Sequence, residues 1–316
     1  MLMLITSTLI TISSYSWLTM WMGLEINLLS IIPLMTNNKN KMTNESAIKY
    51  FITQTIASIM ILLSIMFIMN NIQMFMMMNS AFFMKMGSAP FHFWFPQVME
   101  GLNWMNSLII LTWQKIAPMI MLMQNIQLTY FSIIIIITMV TGGIMGLNQT
   151  SIRKLMAYSS INNSGWMISA LLFSEKIWMI YSIIYFLTLM MLCMLLHFTN
   201  TFYMNQMTLL LNNKNMNFFF SMNLLSMAGM PPFIGFLPKW LTIYTLLNNN
   251  MNLLSIMMVL ITLLTLYFYT RMIINPMMLS FYKNNFFKLK LNKWLILSMN
   301  FMLINLLISF SLMINL

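Results

Sequence analysis

Long runs of apolar residues alternate with short polar breaks along almost the whole chain. Most runs extend over roughly 18 to 25 residues, the length that a helix rising ~1.5 Å per residue needs to cross a hydrocarbon core of ~30 Å. They are uniformly apolar rather than alternating, which favours helices over the strands of a barrel. The pattern predicts an all-α membrane protein of about eleven transmembrane helices, at 2–14, 16–36, 46–70, 73–97, 106–124, 128–147, 152–173, 176–200, 217–247, 252–274 and 294–314.

One short pattern occurs twice and indicates an internal repeat. The segments GSAPFHFWFP, which begins at Gly87, and GMPPFIGFLP, which begins at Gly229, both read G-x-x-P-F-x-x-x-x-P and lie 142 residues apart. This offset equals five predicted helices, and an odd number of crossings inverts the second copy in the membrane. We therefore predict one transmembrane domain with two inverted five-helix repeats, 1–126 and 127–275, followed by a basic loop and a last helix in 276–316.

Prolines are concentrated in both copies of this pattern. Proline donates no backbone hydrogen bond and clashes with the preceding turn, so each copy is expected to break its helix. The prolines concerned are Pro90, Pro96, Pro231, Pro232 and Pro238. Broken helices are tolerated at membrane depth only against protein or a water-filled cavity. Paired breaks in two inverted halves indicate an ion or substrate site near the midplane.

Composition agrees with a membrane protein. Of the 316 residues, 60% are apolar and 6% are charged, whereas soluble domains carry roughly 25% charged residues. The formal charge of +11 does not indicate nucleic acid, because the basic residues form no basic helix face or recognition motif. They gather instead in the predicted loops on the face of the amino terminus. This asymmetry places that terminus on the positive-inside face and the carboxyl terminus opposite.

Residue usage indicates where this membrane belongs. The chain has 43 Met and no Asp, and Ile, Asn, Phe and Leu are abundant. This bias suggests A+T-rich coding in which AUA is read as Met, as in mitochondrial genomes. If the membrane of this multi-pass protein is mitochondrial, we expect the amino terminus on the matrix side and the carboxyl terminus on the intermembrane side of the inner membrane.

The sequence contains no motif for a cofactor or a metal. It lacks G-x-G-x-x-G after a strand, G-x-x-x-x-G-K-[ST], and any His, Cys and acidic residues at metal-ligand spacing. Cys193 is the one cysteine, so no Cys-based iron-sulfur site can be built from this chain. We expect the chain itself to bind no NADH, ATP, flavin or metal.

Four ionisable residues fall deep within predicted helices. Such a side chain at mid-bilayer costs about 2.5–3.5 kcal/mol on insertion scales, so each one calls for an explanation. The four residues are Glu25, Lys85, Lys115 and Lys239. A Glu25–Lys85 pair could switch the lysine between proton-holding states, which suits a proton relay. A static ion pair that orders the helix bundle is the alternative interpretation.

Further polar residues are candidates for the same relay. His92 lies inside the first copy of the repeated pattern and is either a relay member or a satisfied interior histidine. Tyr158, Ser159 and Asn163 belong to an unusually polar stretch of the seventh predicted helix. Such groups either line a chain of water molecules or hydrogen-bond neighbouring helices, and the sequence leaves both interpretations open.

Six motifs occur in the order of one known family: WMGLEINLLSIIPL, AIKYFITQTIAS, SAPFHFWFPQVMEG, LTWQKIAPM, GGIMGLNQTSIRKLMAYSSI and GMPPFIGFLPKW. Together they resemble NADH dehydrogenase subunit 2 of animal mitochondria, a family of antiporter-like membrane-arm subunits of respiratory complex I. The resemblance implies inverted five-helix repeats with two broken helices. It also implies a central polar axis, which matches Glu25, Lys85, Lys115 and Lys239 by motif.

The resemblance implies a function as well. Such a subunit translocates protons, while NADH, FMN, iron-sulfur clusters and ubiquinone act in other subunits. Its partners would be neighbouring membrane-arm subunits, including antiporter-like ones, and inner-membrane lipids. A free-standing cation/proton antiporter and a scaffold that moves no protons are the alternatives. One departure concerns the family pattern AYSSI-x-H-x-GW, which reads AYSSINNSGW here, with Asn163 where histidine is expected.

Overall fold

The computed structural model describes residues 1–36, 40–67, 73–206 and 214–279. The predicted last helix, 294–314, lies outside these ranges. Within them the chain forms thirteen helices: α1 Leu2–Ser13, α2 Trp17–Met35, α3 Lys41–Phe67, α4 Gln73–Met86, α5 Trp94–Gly101, α6 Trp104–Leu111, α7 Trp113–Met123, α8 Leu128–Leu147, α9 Ile152–Leu171, α10 Glu175–Thr199, α11 Lys214–Ala228, α12 Phe236–Asn248 and α13 Asn252–Leu279.

Six segments of the described chain are long and apolar enough to cross a membrane, namely α2, α3, α6 with α7, α8, α10 and α13. The remaining helices fall short for different reasons. Helix α1 has only 12 residues, α9 carries the polar stretch, and the segments that contain Gly87 and Gly229 are interrupted. The all-helical membrane fold is thus confirmed, whereas the count of about eleven crossings and the inverted layout stay predictions.

Helix contacts divide the chain into two compact units, and each unit has its own core. In the first unit, residues 1–138, α3 packs against α2, α4 and α5, while α7 packs against α1, α4 and α6. In the second unit, which begins at Met139, α10 packs against α9, α11 and α12, and α13 packs against α9, α11 and α12. The domain limits predicted at 126 and 275 remain predictions.

Three of the predicted helices are interrupted. Residues 87–93 separate α4 from α5, and residues 229–235 separate α11 from α12, as the proline pattern predicts. Pro96 and Pro238 differ from the expectation, because each is the third residue of the helix that follows. Proline is tolerated there because the first N–H groups of a helix have no intrahelical acceptor. A third interruption, at Thr112 between α6 and α7, was not predicted.

Candidate functional site

The first two interruptions each begin at a glycine in the left-handed region. Gly87 has a φ angle of 71° and Gly229 has a φ angle of 82°, values that residues with a Cβ atom rarely adopt. A Cβ atom at position 87 would lie 3.0 Å from the ring of Phe95, and one at position 229 would lie 2.8 Å from the Nζ atom of Lys239. Glycine therefore permits both the turn and close packing by a side chain from the next helix.

Four backbone hydrogen bonds of the first interruption recur in the second at the same offset of 142 residues. In the first interruption, the N–H groups of Gly87, Ser88, Phe91 and Phe95 donate to the carbonyls of Met84, Phe83, Ser88 and His92, respectively. In the second, the N–H groups of Gly229, Met230, Phe233 and Leu237 donate to the carbonyls of Ser226, Leu225, Met230 and Ile234. The two interruptions therefore share these four backbone hydrogen bonds and the left-handed glycine that begins each of them.

Lys85 lies in the last turn of α4, directly before the first interruption. Its side chain is buried, with 6% of its surface exposed, and its backbone carbonyl accepts a hydrogen bond of 3.1 Å from the Gln54 side chain. Glu25, half-buried in the middle of α2, acts electrostatically on the Lys85 ammonium group. No direct ion pair within 4.0 Å joins these two residues in the described part of the chain.

Lys115 lies in the first turn of α7, next to the interruption at Thr112. Its N–H donates a hydrogen bond of 3.2 Å to the Thr112 carbonyl, and its side chain is only 2% exposed. The Nζ atom lies 5.4 Å from the centroid of the Phe95 ring. An aromatic face attracts a cation, most strongly where both are desolvated. The Phe95 ring thus favours a positive charge on the buried Lys115 side chain.

Lys239 lies in the first turn of α12, and its side chain reaches back across the second interruption. The Nζ atom donates a hydrogen bond of 2.8 Å to the carbonyl of Ala228, the last residue of α11. It also lies 5.9 Å from the centroid of the Trp166 ring. The carboxyl end of a helix carries partial negative charge and favours a cation. The ammonium group of Lys239 therefore lies at the carboxyl end of α11, the helix that precedes the second interruption.

The polar stretch of the seventh predicted helix forms a hydrogen-bond network inside the second unit. The Tyr181 hydroxyl donates to Asn163 Oδ1 at 3.1 Å, and Asn163 Nδ2 donates to the Ser159 carbonyl at 3.0 Å. The Ser159 hydroxyl donates to the Met156 carbonyl at 2.8 Å. Tyr158 is half-buried. Asn163 thus has both a donor and an acceptor within the protein, and the geometry favours the interpretation as a helix-to-helix contact.

His92 lies within the first interruption and is 4% exposed. Its ring stacks on that of Phe93, with centroids 4.4 Å apart. The Pro90 carbonyl lies nearby, but neither imidazole nitrogen makes a hydrogen bond of acceptable geometry within the described chain. Buried polar groups are normally hydrogen-bonded, and both interpretations of His92, a relay member or a satisfied interior histidine, stay predictions.

The structure adds four polar residues that the sequence did not single out. Asn27, Tyr50, Gln54 and Gln114 surround the same small cavity as Lys85. One signal was present, because Tyr50 and Gln54 are four residues apart and therefore share a face of α3. The predicted residues divide between the units: Glu25, Lys85, His92 and Lys115 lie in the first, and Tyr158, Ser159, Asn163 and Lys239 in the second.

Comparison with known proteins first defines the class. Residues 14–265 match the family described as NADH:quinone oxidoreductase/Mrp antiporter, transmembrane. The fold superposes on a chain of respiratory complex I from Thermus thermophilus with a TM-score of 0.84 and 20% identity, covering 96% of this chain and 76% of that chain. It also superposes on a chain of the Mrp complex from Dietzia sp. with a TM-score of 0.78 and 14% identity, covering 86% of this chain and 58% of that chain. The fold is thus antiporter-like.

Sequence relatives then specify the family. NADH-ubiquinone oxidoreductase chain 2 of Aedes aegypti is 48% identical, over 95% of this chain and 92% of the relative. The protein of the same name from Anopheles gambiae is 46% identical, over 90% of this chain and 87% of the relative. The one from Mus musculus is 40% identical, over 87% of this chain and 84% of the relative. The chain belongs to the NADH-ubiquinone oxidoreductase chain 2 family, which confirms the resemblance of its motifs.

Proposed function

We propose that this chain is a core membrane subunit of the proton-pumping NADH:ubiquinone oxidoreductase, complex I, and that it carries protons through Glu25, Lys85, Lys115 and Lys239. One observation carries this proposal: each of the three buried lysines lies beside a helix interruption. Ionisable groups paired with interrupted helices in membrane proteins mark ion and proton paths. Both the family and the antiporter-like fold support this function.

The proposed mechanism requires each lysine to hold and release a proton at its Nζ atom. Glu25 stabilises the ammonium form of Lys85, the Phe95 ring stabilises that of Lys115, and the Ala228 carbonyl stabilises that of Lys239. All three lysines are desolvated, so the release of a proton to a polar neighbour also relieves the cost of a buried charge. A change in charge at one position then alters how tightly its neighbour holds a proton.

The wider layout belongs to the same proposal. It comprises about eleven crossings and two inverted repeats, 1–126 and 127–275, followed by a basic loop and a last helix in 276–316. The four recurring hydrogen bonds support the repeat, and the segregation of basic loops supports an amino terminus on the matrix side of the mitochondrial inner membrane. The partners are other membrane-arm subunits, including antiporter-like neighbours, and lipids.

We assign different roles to the remaining candidates. His92 belongs to the relay, because it is buried and lies within the first interruption. Ser159 and Asn163 position the helices around them, and Tyr158 stays a relay candidate at the edge of the buried region. The chain itself carries no redox centre, and NADH, FMN, iron-sulfur clusters and ubiquinone bind to other subunits of the complex.

Membership in the complex is tested by extracting inner membranes with a mild detergent and resolving the extract on a native gel. The gel is stained for NADH dehydrogenase activity, and peptides of this chain are identified in each band. We expect the chain in a large NADH-oxidising band together with other complex I subunits. Migration of the chain alone, or in a small oligomer without that activity, would favour the free-standing antiporter.

A further inference from the structure

A cavity of about 450 Å³ lies in the second unit of the protein. Three elements line it: the loop 148–150 between α8 and α9, the segment 203–205 that follows α10, and Arg271 of α13. Its described lining contains none of the residues assigned to the proton path. The volume falls within the roughly 300–1,000 Å³ of sites that bind small molecules. The cavity is therefore large enough to hold a polar group of a ligand.

The two chain segments of this lining are held together by the protein itself. The N–H of Met204 donates a hydrogen bond of 3.2 Å to the Thr150 carbonyl, and the N–H of Ile152 donates one of 2.9 Å to the Phe202 carbonyl. The guanidinium carbon of Arg153 also lies 4.6 Å from the centroid of the Phe202 ring. A preformed site loses less free energy to ordering when its ligand binds. The cavity therefore keeps its shape without a ligand.

Arg271 is the charged residue among those that line the cavity, and the protein uses its guanidinium group only in part. The Nη2 atom donates a hydrogen bond of 3.0 Å to the Gln149 carbonyl and lies 4.0 Å from the Met204 Sδ atom. The Nε atom makes no hydrogen bond within the described chain. A guanidinium group carries five N–H donors. Arg271 can therefore bind a further acceptor, while its bond to Gln149 fixes the side chain in place.

The charge of Arg271 has no carboxylate beside it. The chain has four acidic residues, and within the described residues Arg271 forms no ion pair. Glu175 begins α10, whose 25 residues separate it from the cavity by about 37 Å. The others belong to the first unit: Glu25, Glu45 and Glu100. The cavity is therefore positively charged and favours an anion, and the planar guanidinium group matches the geometry of a phosphate.

The position of Arg271 along α13 indicates where such a phosphate comes from. Arg271 lies three residues before the end of the apolar segment Asn252–Ile274, the depth at which lipid headgroups begin. Exposed residues that are three or four positions apart share one face of a helix with Arg271; they are Leu260, Leu264, Tyr267 and Ile274. Acyl chains contact such an apolar stripe, and tyrosine is common at the membrane surface. One phospholipid can therefore meet both the stripe and Arg271.

We propose that this cavity binds the phosphate group of an anionic phospholipid, with Arg271 as the binding residue and with the acyl chains along the stripe of α13. Basic cavities between helices at the positively charged face of a membrane protein bind anionic headgroups. The alternative is that Arg271 only bonds the Gln149 carbonyl just beyond α8. The inference deepens the proposed contact with lipids, and it does not depend on the proton path.

The test is photolabelling of the purified complex in phosphatidylcholine vesicles that contain a small fraction of photoreactive phosphatidylglycerol. Labelled peptides of this chain are quantified by mass spectrometry. We expect label on the segments 148–150 and 203–205, and about tenfold less of it in Arg271→Gln, since a hydrogen bond to a charged group contributes at least that much. Glutamine keeps an N–H for the Gln149 carbonyl but carries no charge. Equal labelling of the two segments in Arg271→Gln and in the unaltered complex would overturn the proposal.

Two variants control for the loss of charge. Lys176→Gln removes an exposed positive charge from the first turn of α10, at the end of that helix remote from the cavity, and we expect it to leave the labelling unchanged. Arg271→Lys keeps a positive charge at the site, so we expect it to retain more label than Arg271→Gln. An equal fall of the label in Lys176→Gln and Arg271→Gln would mean that the overall charge of the chain, and no specific site, attracts the lipid.

Three further measurements on the unaltered complex identify the source of the phosphate, and they need no variant to assemble. Photoreactive phosphatidylcholine should label the two segments far less, because its choline cation meets the same positive charge; equal labelling would overturn the preference for an anionic lipid. An excess of inorganic phosphate should leave the label in place, and its displacement would assign the cavity to a soluble anion instead. A cryo-EM map should show headgroup density at Arg271 that continues along α13. An empty cavity, or a compact density without acyl chains, would overturn the proposal.

Discussion

A Gly229→Ala substitution is expected to lower proton pumping by the assembled complex at least about tenfold. The added Cβ atom would lie 2.8 Å from both the Cδ and Nζ atoms of Lys239. The flexible end of the lysine moves more easily than the backbone, so the hydrogen bond from Nζ to the Ala228 carbonyl is lost. A displacement of about 1 Å in a positioned group can lower a rate about 10²-fold. Protons pumped per NADH oxidised measure the effect.

Gly143→Ala is a control for the added methyl group alone, because Gly143 lacks the positive φ angle of Gly229. A Cβ atom at position 143 would meet the Ile261 side chain at 3.3 Å, and the position is an ordinary helical one within α8. We expect this variant to assemble and to pump normally. If Gly229→Ala pumps as well as Gly143→Ala does, the position of the Lys239 ammonium group does not matter for the function.

Neutralising Glu25 and Lys85 together is expected to give a complex that assembles but does not pump. Lys85 is buried and feels the charge of the half-buried Glu25, so removal of one of the two charges leaves the other with less compensation, whereas removal of both avoids that cost. A Glu25→Gln, Lys85→Met double variant should therefore assemble better than Lys85→Met alone. Its protons per NADH should remain low, because no group titrates at position 85.

This double variant decides between the two interpretations of the pair. A static ion pair that only orders the helices predicts that the double variant recovers both assembly and pumping. The exposed pair of Glu45 and Lys49, with a distance of 2.7 Å between Oε1 and Nζ, provides the control. Exposed ion pairs contribute about 0–1 kcal/mol, so a Glu45→Gln, Lys49→Met variant should behave like the unaltered chain.

The sequence predicts most helices well, because each apolar run is long and its polar ends are distinct. Helix α8 has the predicted bounds, 128–147, and α2 differs by one residue at each end. Interruptions at Gly87 and Gly229 follow from local chemistry, since glycine and proline act on their own backbone. The interruption at Thr112 has no such signal, because the nearest proline, Pro118, lies six residues further along the chain.

The candidate site was predictable only in part. Charged residues such as Lys85 and Lys239 stand out in an apolar helix because their burial is costly. Amides do not stand out in this way, because glutamine and asparagine also serve as ordinary contacts between membrane helices. The bond between Asn27 and Gln114 depends on how α2 and α7 are rotated against each other. This rotation is a property of tertiary packing, so the sequence of α2 or of α7 does not reveal it.

The measurement that tests the proton path most directly is the number of protons translocated per NADH oxidised by the purified complex, reconstituted in sealed vesicles, with Lys115→Met in this chain. Methionine matches the length and apolar stem of the buried lysine but carries no titratable group. We predict a complex that assembles and still oxidises NADH, with a much lower proton ratio than that of Lys49→Met. An assembled Lys115→Met complex that pumps at the unaltered rate and ratio would contradict the account.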